Sequence, residues 1–415
     1  MDEFVIDGGR RLRGTYQVNG SKNSALPILI ATLLTDEDCV IDNVPRLRDI
    51  RTTFRLLETL GKKVEVQGKR VKVSYGKALL THAQYDIVKQ MRASILVAGP
   101  LLARFGKVRV SLPGGCAIGM RPIDIHLKGL EAMGAVSSTK EGDVVLTGAL
   151  EPSRVKLRFP SVGATENLMM AAAAVEGETV IENAAREPEM EDLGEFLTSL
   201  GATVKGAGTS RITVRGAARL EGARHRVISD RIETGTLLCA VAAAGGDVTL
   251  KGAVGSHLTA LIAALRRAGA KITETRAGLR VKASGRPKPV NIVTEPHPGF
   301  PTDVQAPWMA YMTLAKGTAK VREVVFERRF LHAAELARMG ARIAVSGDGA
   351  SVEGVPELSG AAIMASDIRA GAGLVVAALA AKGRTIIQRV YHIDRGYERL
   401  ELVLRALGAR MRRLR

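Results

Sequence analysis

The stretch LETLGKKVEV, Leu57–Val66, decides the fold because its pattern recurs along the chain. It reads as the end of an amphipathic helix, then a glycine, then a strand. The glycines of the six copies are Gly61, Gly134, Gly201, Gly269, Gly340 and Gly408. Their spacings of 73, 67, 68, 71 and 68 residues are nearly equal. Each glycine lies where the C-terminus of a helix favours a left-handed residue, so the pattern predicts six repeats.

A second signature, an apolar and Ala-rich stretch, precedes each copy of the first. The six stretches are SALPILIATLL (24–34), RASILVAGPLLA (92–103), ATENLMMAAAAV (164–175), ETGTLLCAVAAA (233–244), APWMAYMTLA (306–315) and IRAGAGLVVAALA (368–380). Apolar residues on most faces predict helices that are buried on all sides. The repeat is therefore a buried helix, strands, an amphipathic outer helix and another strand, and six repeats divide into two domains of three. Chance similarity of common Leu-x-x-Leu-Gly ends is the alternative.

The composition is typical of a globular protein without a membrane span or a metal centre. A chain of 415 residues predicts two domains, and 46% hydrophobic with 25% charged residues fits a packed core. Apolar runs reach about 11 residues, short of the roughly 18 that a spanning helix needs. The three cysteines, Cys39, Cys116 and Cys239, form no C-x-x-C pair, which indicates neither a disulfide framework nor zinc. The sequence has neither a G-x-x-x-x-G-K-[ST] loop nor a G-x-G-x-x-G motif after a strand, so these phosphate-binding and dinucleotide-binding signatures are absent. We expect a cytoplasmic protein with no metal and no organic cofactor.

The net charge of +18 predicts an anionic partner, which is a nucleic acid, an acidic lipid or a phosphorylated metabolite; a solvated basic surface is the alternative. Cations begin several of the buried helices, namely Lys22, Arg92 and Arg369. A cation opposes the positive end of a helix dipole unless an anion lies nearby, and helix N-termini themselves bind anions. Few aromatic side chains are available as stacking platforms for bases. These observations favour the phosphorylated metabolite.

Other polar residues at the same helix starts are typical N-caps. They are Ser21, Ser161, Asp230, Thr302 and Asp367. Asp230 and Glu233 have the spacing of a capping box. Capping therefore explains these residues and leaves the cations unexplained.

The stretch VSLPGGCAIGMRP, Val110–Pro122, places Cys116 between glycines and close to Arg121. Glycines on both sides loosen the backbone. The pattern indicates a mobile loop that presents a thiol near a cation; an ordinary Gly-rich turn is the alternative. Cys39 and Cys239 lie in apolar runs and are predicted to be core residues.

Taken together, these motifs resemble the enolpyruvyl transferases that act on UDP-N-acetylglucosamine. The resemblance rests on GSKNSALPIL (20–29), the Cys116 loop, SVGATEN (161–167), SDRIETGT (229–236), PHPGFPTD (296–303), FERRF (326–330), SDIRAGA (366–372) and YHIDRGYERL (391–400). It implies an α/β fold of two inside-out domains, each with three repeats. Residues 21–229 would form the first domain and residues 1–20 plus 230–415 the second, with a substrate cleft between them.

The resemblance also implies the reaction. Members transfer the enolpyruvyl group of phosphoenolpyruvate to the 3-hydroxyl of UDP-N-acetylglucosamine, release phosphate, and so begin peptidoglycan synthesis. The implied partners are these two small molecules, with no nucleic acid and no membrane. The alternatives are a related transferase with another acceptor, such as shikimate phosphate or a nucleoside, and a basic homologue without enzymatic activity.

Site residues follow by matching motifs. Cys116 matches the general acid, which is also the target of fosfomycin, and Asp303 matches the base beside the sugar hydroxyl. Lys22, Arg121 and Arg395 match cations on the phosphate of phosphoenolpyruvate, Lys22 and Arg395 being also catalytic; Arg329 and Arg369 match those near its carboxylate. Asn23 matches a contact of both substrates. The remaining contacts of the sugar nucleotide match Arg92, Arg121, Pro122, Ile123, Asp124, Ile125, Ser161, Val162, Gly163, Asp303 and Val325.

Some of these residues have structural alternatives. Arg395 fits a surface ion pair as well, and Asp303 fits a helix cap. Phe159 and Pro160 depart from the pattern, because many members carry a basic residue there that touches the diphosphate.

Overall fold

A computed structural model describes residues 2–88, 91–111 and 123–414 of the chain, without the side chain of Arg92. The α-helices of this part are α1 Lys22–Ala31, α2 Arg48–Leu60, α3 Tyr85–Val88, α4 Ala98–Phe105, α5 Asp124–Glu131, α6 Val162–Ala173, α7 Pro188–Ser199, α8 Arg231–Ala244, α9 Thr259–Ala268, α10 Gln305–Met312, α11 His332–Arg338, α12 Ile368–Ala380 and α13 Leu400–Ala406. Short 3₁₀ helices cover Thr32–Leu34, Arg92–Val97, Gly255–Leu258, Thr302–Val304 and Val390–Arg395.

The strands form six sheets of four strands each within the described residues. They are β1 Glu3–Asp7, β2 Leu12–Gln17, β3 Cys39–Asp42, β4 Lys62–Gln67, β5 Arg70–Tyr75, β6 His82–Ala83, β7 Lys107–Ser111, β8 Val136–Lys140, β9 Asp143–Thr147, β10 Arg154–Lys156, β11 Gly177–Glu182, β12 Thr203–Lys205, β13 Arg211–Gly216, β14 Arg224–Arg226, β15 Gly246–Lys251, β16 Lys271–Thr275, β17 Gly278–Ala283, β18 Ile292–Thr294, β19 Thr318–Glu323, β20 Arg342–Ser346, β21 Gly349–Glu353, β22 Ala362–Met364, β23 Arg384–Gln388 and β24 Arg410–Leu414.

Each sheet corresponds to one of the six predicted repeats. In the sheet β10-β11-β13-β12, strand β10 precedes the buried helix α6 and pairs in parallel with β11, which follows that helix. The outer helix α7 then leads into the hairpin of β12 and β13, which pairs antiparallel with β11. The other five sheets repeat this arrangement of one parallel and two antiparallel pairings. The predicted six-fold repetition is confirmed.

Three sheets are completed by strands that are distant in sequence. The amino-terminal strands β1 and β2 complete the sheets β22-β23-β1-β24 and β16-β17-β15-β2. Strand β14 completes β14-β3-β5-β4 by pairing in parallel with β3. The repeats are thus closed by chain segments that precede or follow them.

The six glycines of the first signature adopt the predicted left-handed conformation, with φ between 92° and 115°. At Gly61 and Gly269 the glycine is the C-cap, and its N–H bonds to carbonyls of the last helical turn. A residue with a side chain is strained at such a φ, so glycine ends the outer helix and turns the chain into the hairpin.

The chain divides into two compact units. The continuous unit comprises residues 20–228 as far as they are described, and the discontinuous unit comprises residues 2–19 and 229–414. Each unit has its own hydrophobic core and three of the six sheets.

Buried helices fill the inside of each unit. In the discontinuous unit α8, α10 and α12 pack against one another, and nearly all of their residues are buried. Small residues allow the close approach: a Cβ added to Gly373 of α12 would lie 2.8 Å from the backbone of Ala306. The apolar Ala-rich stretches are therefore the inner helices that the sequence predicts, and Cys39 and Cys239 are buried as expected.

Two capping predictions are wrong. Asp230 does cap α8, but Glu233 does not complete the capping box, because the N–H of Asp230 already donates to the carbonyl of Asn19. The carboxylate of Glu233 instead accepts hydrogen bonds from Asn19 and Tyr16. Thr302 is not a cap either, since its hydroxyl donates to the buried carboxylate of Glu323. Ser21, Ser161 and Asp367 cap their helices as predicted.

Candidate functional site

Three predicted site residues of the discontinuous unit meet at the carboxylate of Asp303. This residue lies in the 3₁₀ turn Thr302–Val304, which leads into the inner helix α10. Nη2 of Arg329 donates to Oδ1 of Asp303 at 2.5 Å, and Nη2 of Arg369 to Oδ2 at 3.4 Å. Arg369 is the second residue of the inner helix α12. The structure thus brings together one carboxylate and two guanidinium groups from three separate segments.

The charges of this group do not balance. The side chains of Arg329 and Arg369 are only 6% and 8% exposed, whereas that of Asp303 is 26% exposed. Nε of Arg329 is buried and has no hydrogen-bond partner among the described residues. Buried charges are costly unless they are paired, so two cations around one carboxylate favour a bound anion. The exposed edge of Asp303 is where a ligand can reach the group.

The surroundings of Arg369 keep it charged. Burial alone would lower the pKa of Arg369, but the nearby Asp303 carboxylate and Tyr397 more than offset it, and the pKa lies above its usual value. Nη1 of Arg369 donates to Oη of Tyr397 at 3.2 Å. Tyr397 also exchanges a 2.8 Å hydrogen bond with Thr236 of the inner helix α8. These contacts fix the direction of the guanidinium group.

Val325 and Arg395 flank the same group. The N–H of Val325 donates to Glu323, whose other oxygen accepts from Thr302, the neighbour of Asp303. Arg395 ends the 3₁₀ helix Val390–Arg395 and is half-buried. Its neighbour Gly396 packs against Arg369, since an added Cβ would lie 3.5 Å from Nη1 of that residue.

In the continuous unit, Lys22 is the first residue of α1 and is buried. Its Nζ lies 3.3 Å from Oδ2 of Asp49 in the first turn of the outer helix α2. Asn23, the next residue, is the half-buried one in an otherwise buried helix. Lys22, which the sequence predicts as a site residue, therefore lies beside an acidic side chain, Asp49, that the motifs did not identify.

The contacts predicted for the sugar nucleotide form a second group in this unit. Ser161 caps α6, and Val162 and Gly163 begin it; Ile123, Asp124 and Ile125 begin α5 or precede it directly. The two helix starts are adjacent, because a Cβ added to Gly163 would lie 3.1 Å from the ring of His126. Nδ1 of His126 is 3.1 Å from Nδ2 of Asn167, and burial lowers the pKa of His126 to about 4. The imidazole is therefore neutral at pH 7.

Arg158 was not predicted as part of this group. Its Nη2 donates to Oδ2 of Asp124 at 2.6 Å. It directly precedes Phe159 and Pro160, where the sequence departs from the family pattern, so a cation is present one residue earlier. Arg92 begins the 3₁₀ helix Arg92–Val97, and its side chain lies outside the described part.

Cys116, Arg121 and Pro122 lie outside the described residues, so their roles stay predictions. The sequence did not predict that Thr302 accepts a hydrogen bond from Arg329. It also did not identify Glu323, Tyr397 and Asp49 as neighbours of the predicted site residues. Tyr397 belongs to the matched motif YHIDRGYERL and could have been found there. Glu323 ends a strand with alternating exposure and carries no local signal.

Across the described residues, no helix is long and apolar enough to cross a membrane. Within the same ranges no group of three or more His, Cys, Asp or Glu side chains is arranged to hold a metal ion.

Comparison with solved structures places the fold among the enolpyruvyl transferases. The crystal structure of the enolpyruvyl transferase NikO from Streptomyces tendae matches with a TM-score of 0.88, over 99% of this chain and 98% of that one, at 24% identity. EPSP synthase from Acinetobacter baumannii matches with a TM-score of 0.78, over the whole of both chains, at 20% identity. At such identities these matches establish the fold.

Sequence comparison is more specific. Residues 6–404 match the family described as EPSP synthase (3-phosphoshikimate 1-carboxyvinyltransferase). UDP-N-acetylglucosamine 1-carboxyvinyltransferase of Elusimicrobium minutum is 52% identical over 99% of this chain and 98% of its own length. The protein of the same name from Trichlorobacter lovleyi is 51% identical over 100% and 99%. The chain belongs to the family of the UDP-N-acetylglucosamine 1-carboxyvinyltransferases, within the enolpyruvyl transferases.

Proposed function

We propose that this chain transfers the enolpyruvyl group of phosphoenolpyruvate to the 3-hydroxyl of UDP-N-acetylglucosamine and releases inorganic phosphate. The acceptor is supported by the names of relatives that are about 50% identical to this chain over its full length. The observation that carries the chemistry is the Asp303 carboxylate between two buried guanidinium groups. A base beside an anion site is what deprotonation of an alcohol next to a carboxylate substrate requires.

The reaction runs by addition and elimination. Asp303 takes the proton of the sugar hydroxyl as its oxygen forms a bond to C2 of phosphoenolpyruvate, and the Cys116 thiol delivers a proton to C3. The bond from C2 to the phosphate oxygen then breaks, C3 returns a proton to the Cys116 thiolate, and phosphate leaves with the proton that Asp303 had taken. The products are the enolpyruvyl ether and inorganic phosphate, so atoms and charges balance.

The cations divide between the two anionic groups of phosphoenolpyruvate. Arg329 and Arg369 hold its carboxylate, which adds a second anionic contact beside that of Asp303. Lys22, Arg121 and Arg395 hold its phosphate, and Asn23 contacts both substrates. Charge-assisted hydrogen bonds of this kind are short and directional, and guanidinium groups bind carboxylates in a bidentate manner.

The sugar nucleotide binds at the starts of α5 and α6. Backbone N–H groups at a helix N-terminus attract phosphate oxygens, and Ser161, Val162 and Gly163 provide such a start. Arg92 and the segment from Arg121 to Ile125 complete the nucleotide side, while Asp303 and Val325 face the sugar. We further propose, from the family resemblance, a cytoplasmic enzyme of peptidoglycan synthesis that fosfomycin inactivates at Cys116.

Phosphate release tests the acceptor. Purified protein with phosphoenolpyruvate should release phosphate when UDP-N-acetylglucosamine is added, and mass spectrometry should detect the enolpyruvyl ether. Shikimate 3-phosphate in place of the sugar nucleotide should give no release. Release with shikimate 3-phosphate, or none with UDP-N-acetylglucosamine, would contradict the proposed acceptor.

An Asp303→Asn variant tests the base. Loss of a general base typically lowers kcat by about 10²- to 10⁴-fold. Asp247→Asn is a matched control in the same unit, because it removes a carboxylate that pairs with Arg280 on an exposed sheet face. Equal turnover by the two variants would remove Asp303 from the chemistry.

A further inference from the structure

Glu323 is a buried carboxylate that collects hydrogen-bond donors from three segments. It ends strand β19 and is 2% exposed. Oε1 accepts from the hydroxyl of Thr294 at 2.9 Å and from the N–H groups of Val325 and Phe326 at 3.0 and 3.1 Å. Oε2 accepts from the hydroxyl of Thr302 at 2.8 Å. Both oxygens are thus occupied by donors.

The hydrogen bond to Thr302 sets the polarity of that hydroxyl. A threonine hydroxyl has one proton to donate, and here the proton points to Glu323. The oxygen lone pairs are therefore left for Nη1 of Arg329, which donates to the same hydroxyl at 2.8 Å. Nη2 of Arg329 donates to Asp303. A continuous chain of hydrogen bonds leads from Glu323 through Thr302 and Arg329 to the proposed base.

The orientation of Arg329 depends on its two Nη groups and on an aromatic neighbour. Its Nε has no partner among the described residues, so the two Nη groups carry the directional hydrogen bonds. The ring of Phe326 also packs against this side chain, with its centroid 4.9 Å from the guanidinium carbon. The N–H of Phe326 is held by Glu323 as well. One carboxylate therefore fixes both the hydrogen-bond acceptor and the aromatic face that Arg329 uses.

We propose that Glu323 is a positioning residue for enolpyruvyl transfer, acting by holding the Thr302 hydroxyl as an acceptor for Arg329 and so keeping Arg329 on Asp303. Its effect on turnover rests on the proposed function; its effect on the geometry does not. Misplacement of a reacting group by about 1 Å can cost a factor of roughly 10² in rate. The Glu323 carboxylate acts through Thr302 and Arg329 and has no contact with the substrate in this proposal.

Glu323→Gln is the informative substitution because it keeps the shape and reverses one hydrogen bond. The amide oxygen can still accept from Thr294 and the two backbone N–H groups. The amide NH₂ then faces Thr302 and donates to it. The Thr302 proton must then turn away from residue 323, where it competes with Nη1 of Arg329 for the space around the Thr302 oxygen.

Two threonines that donate to opposite oxygens of Glu323 provide a pair of variants. Thr302→Val removes the acceptor of Arg329. Thr294→Val removes a donor to the other oxygen of the same carboxylate, together with the acceptor of the Val324 N–H, and leaves both hydrogen bonds of Arg329 in place. We expect Glu323→Gln and Thr302→Val to lower kcat by about 10²-fold and to raise KM for phosphoenolpyruvate, with KM for UDP-N-acetylglucosamine nearly unchanged. Thr302→Ser restores the hydroxyl and should restore kcat. Thr294→Val should lower the unfolding midpoint and leave kcat within a few-fold.

Crystal structures of the same variants give a readout that does not need activity. We expect Nη2 of Arg329 to leave Asp303 in Glu323→Gln and Thr302→Val, and to stay in Thr294→Val. An unmoved Arg329 in the folded Glu323→Gln protein, or equal loss of kcat in both valine variants, would overturn the inference. If Arg329 moves as expected while the wild type fails to turn over UDP-N-acetylglucosamine, the positioning role stands and the proposed acceptor falls.

Discussion

Arg369 is a residue that its sequence position already marks as unusual. It is second in an inner helix, where the dipole disfavours a cation, and no cap explains it. The structure supplies the missing counter-charge in Asp303. Thr302 and Glu323 could not be found this way, because a threonine at a helix start is an ordinary cap and a glutamate at a strand end is usually solvated. Their roles depend on segments 21 residues apart that only the tertiary fold brings together.

Thiol reactivity at the residue scale should separate Cys116 from the other two cysteines. Cys39 and Cys239 are buried, and burial raises the pKa of both thiols, so little thiolate is present at pH 8. We expect iodoacetamide to label Cys116 in the native protein, and a Cys116→Ser variant to show no fast labelling. Mass spectrometry locates the adduct. Rapid native-state labelling of Cys39 or Cys239 would contradict the expected order.

The titration of Glu233 should make the free energy of unfolding depend on pH. Burial raises the pKa of Glu233 to about 7, against 4.5 for an ordinary glutamate. The folded state then holds more protons than the unfolded state between these values, so the free energy of unfolding falls as the pH rises from about 4.5 to about 7. Glu233→Gln lacks this proton, and its stability relative to the wild type should rise across the window by up to about 3 kcal/mol.

Denaturant titrations of both proteins at several pH values measure this difference. Burial also lowers the pKa of His126 and His332 to about 4. Their stabilising effect is lost as the pH falls below about 6.5 toward 4, but both proteins contain these histidines and the difference cancels them. Parallel stability curves for the wild type and Glu233→Gln would show that Glu233 titrates as in the unfolded chain.

At the scale of elements, the glycines that end the outer helices should differ in how strictly they are required. Gly61 and Gly269 have nearly the same φ, 113° and 110°. A Cβ on Gly269 would have no neighbour within 4 Å, whereas one on Gly61 would lie 2.9 Å from the carbonyl oxygen of Ala78. We expect Gly269→Ala to cost about 1–2 kcal/mol from backbone strain alone, and Gly61→Ala to cost more. Denaturant unfolding measures both, and equal losses would mean that the Ala78 contact relaxes freely.

The same elements show how far the sequence predicts the fold. The glycine spacing and the apolar helices identified six repeats, because both signals are local. The completion of sheets by β1, β2 and β14 could not be predicted from local patterns, since strand pairing over hundreds of residues depends on which edges the fold leaves open. The predicted capping box of Asp230 and Glu233 is wrong for the same reason. Asn19, which is distant in sequence, accepts the hydrogen bond of the Asp230 N–H and donates to the Glu233 carboxylate.

At the scale of the whole molecule, basic residues outnumber acidic ones by 60 to 42. Many acidic side chains are occupied in ion pairs on the sheet faces, as Asp7 with Arg384, Asp247 with Arg280 and Glu353 with Arg342. Exposed pairs of this kind add little stability. The excess of positive charge is therefore not required by the fold, and its physical consequence is a long-range attraction for anions.

This attraction should act on substrate encounter and not on the chemical step. Both proposed substrates are anionic, so raising the salt concentration should lower kcat/KM for each and leave kcat at saturation nearly flat, because screening weakens long-range fields more than contacts inside a buried site.

A matched variant replaces the exposed residues Arg10, Arg405 and Arg412 with glutamate, which lowers the net charge from +18 to +12. Its kcat/KM should start lower at low salt and depend less on salt, with kcat unchanged. Steady-state kinetics from low to high ionic strength measure both slopes, and identical slopes for the two proteins would show that the peripheral arginines contribute nothing to encounter. Duplex binding that persists above physiological salt would instead revive the nucleic-acid alternative, since counterion release makes ordinary charge attraction to DNA fall steeply with salt.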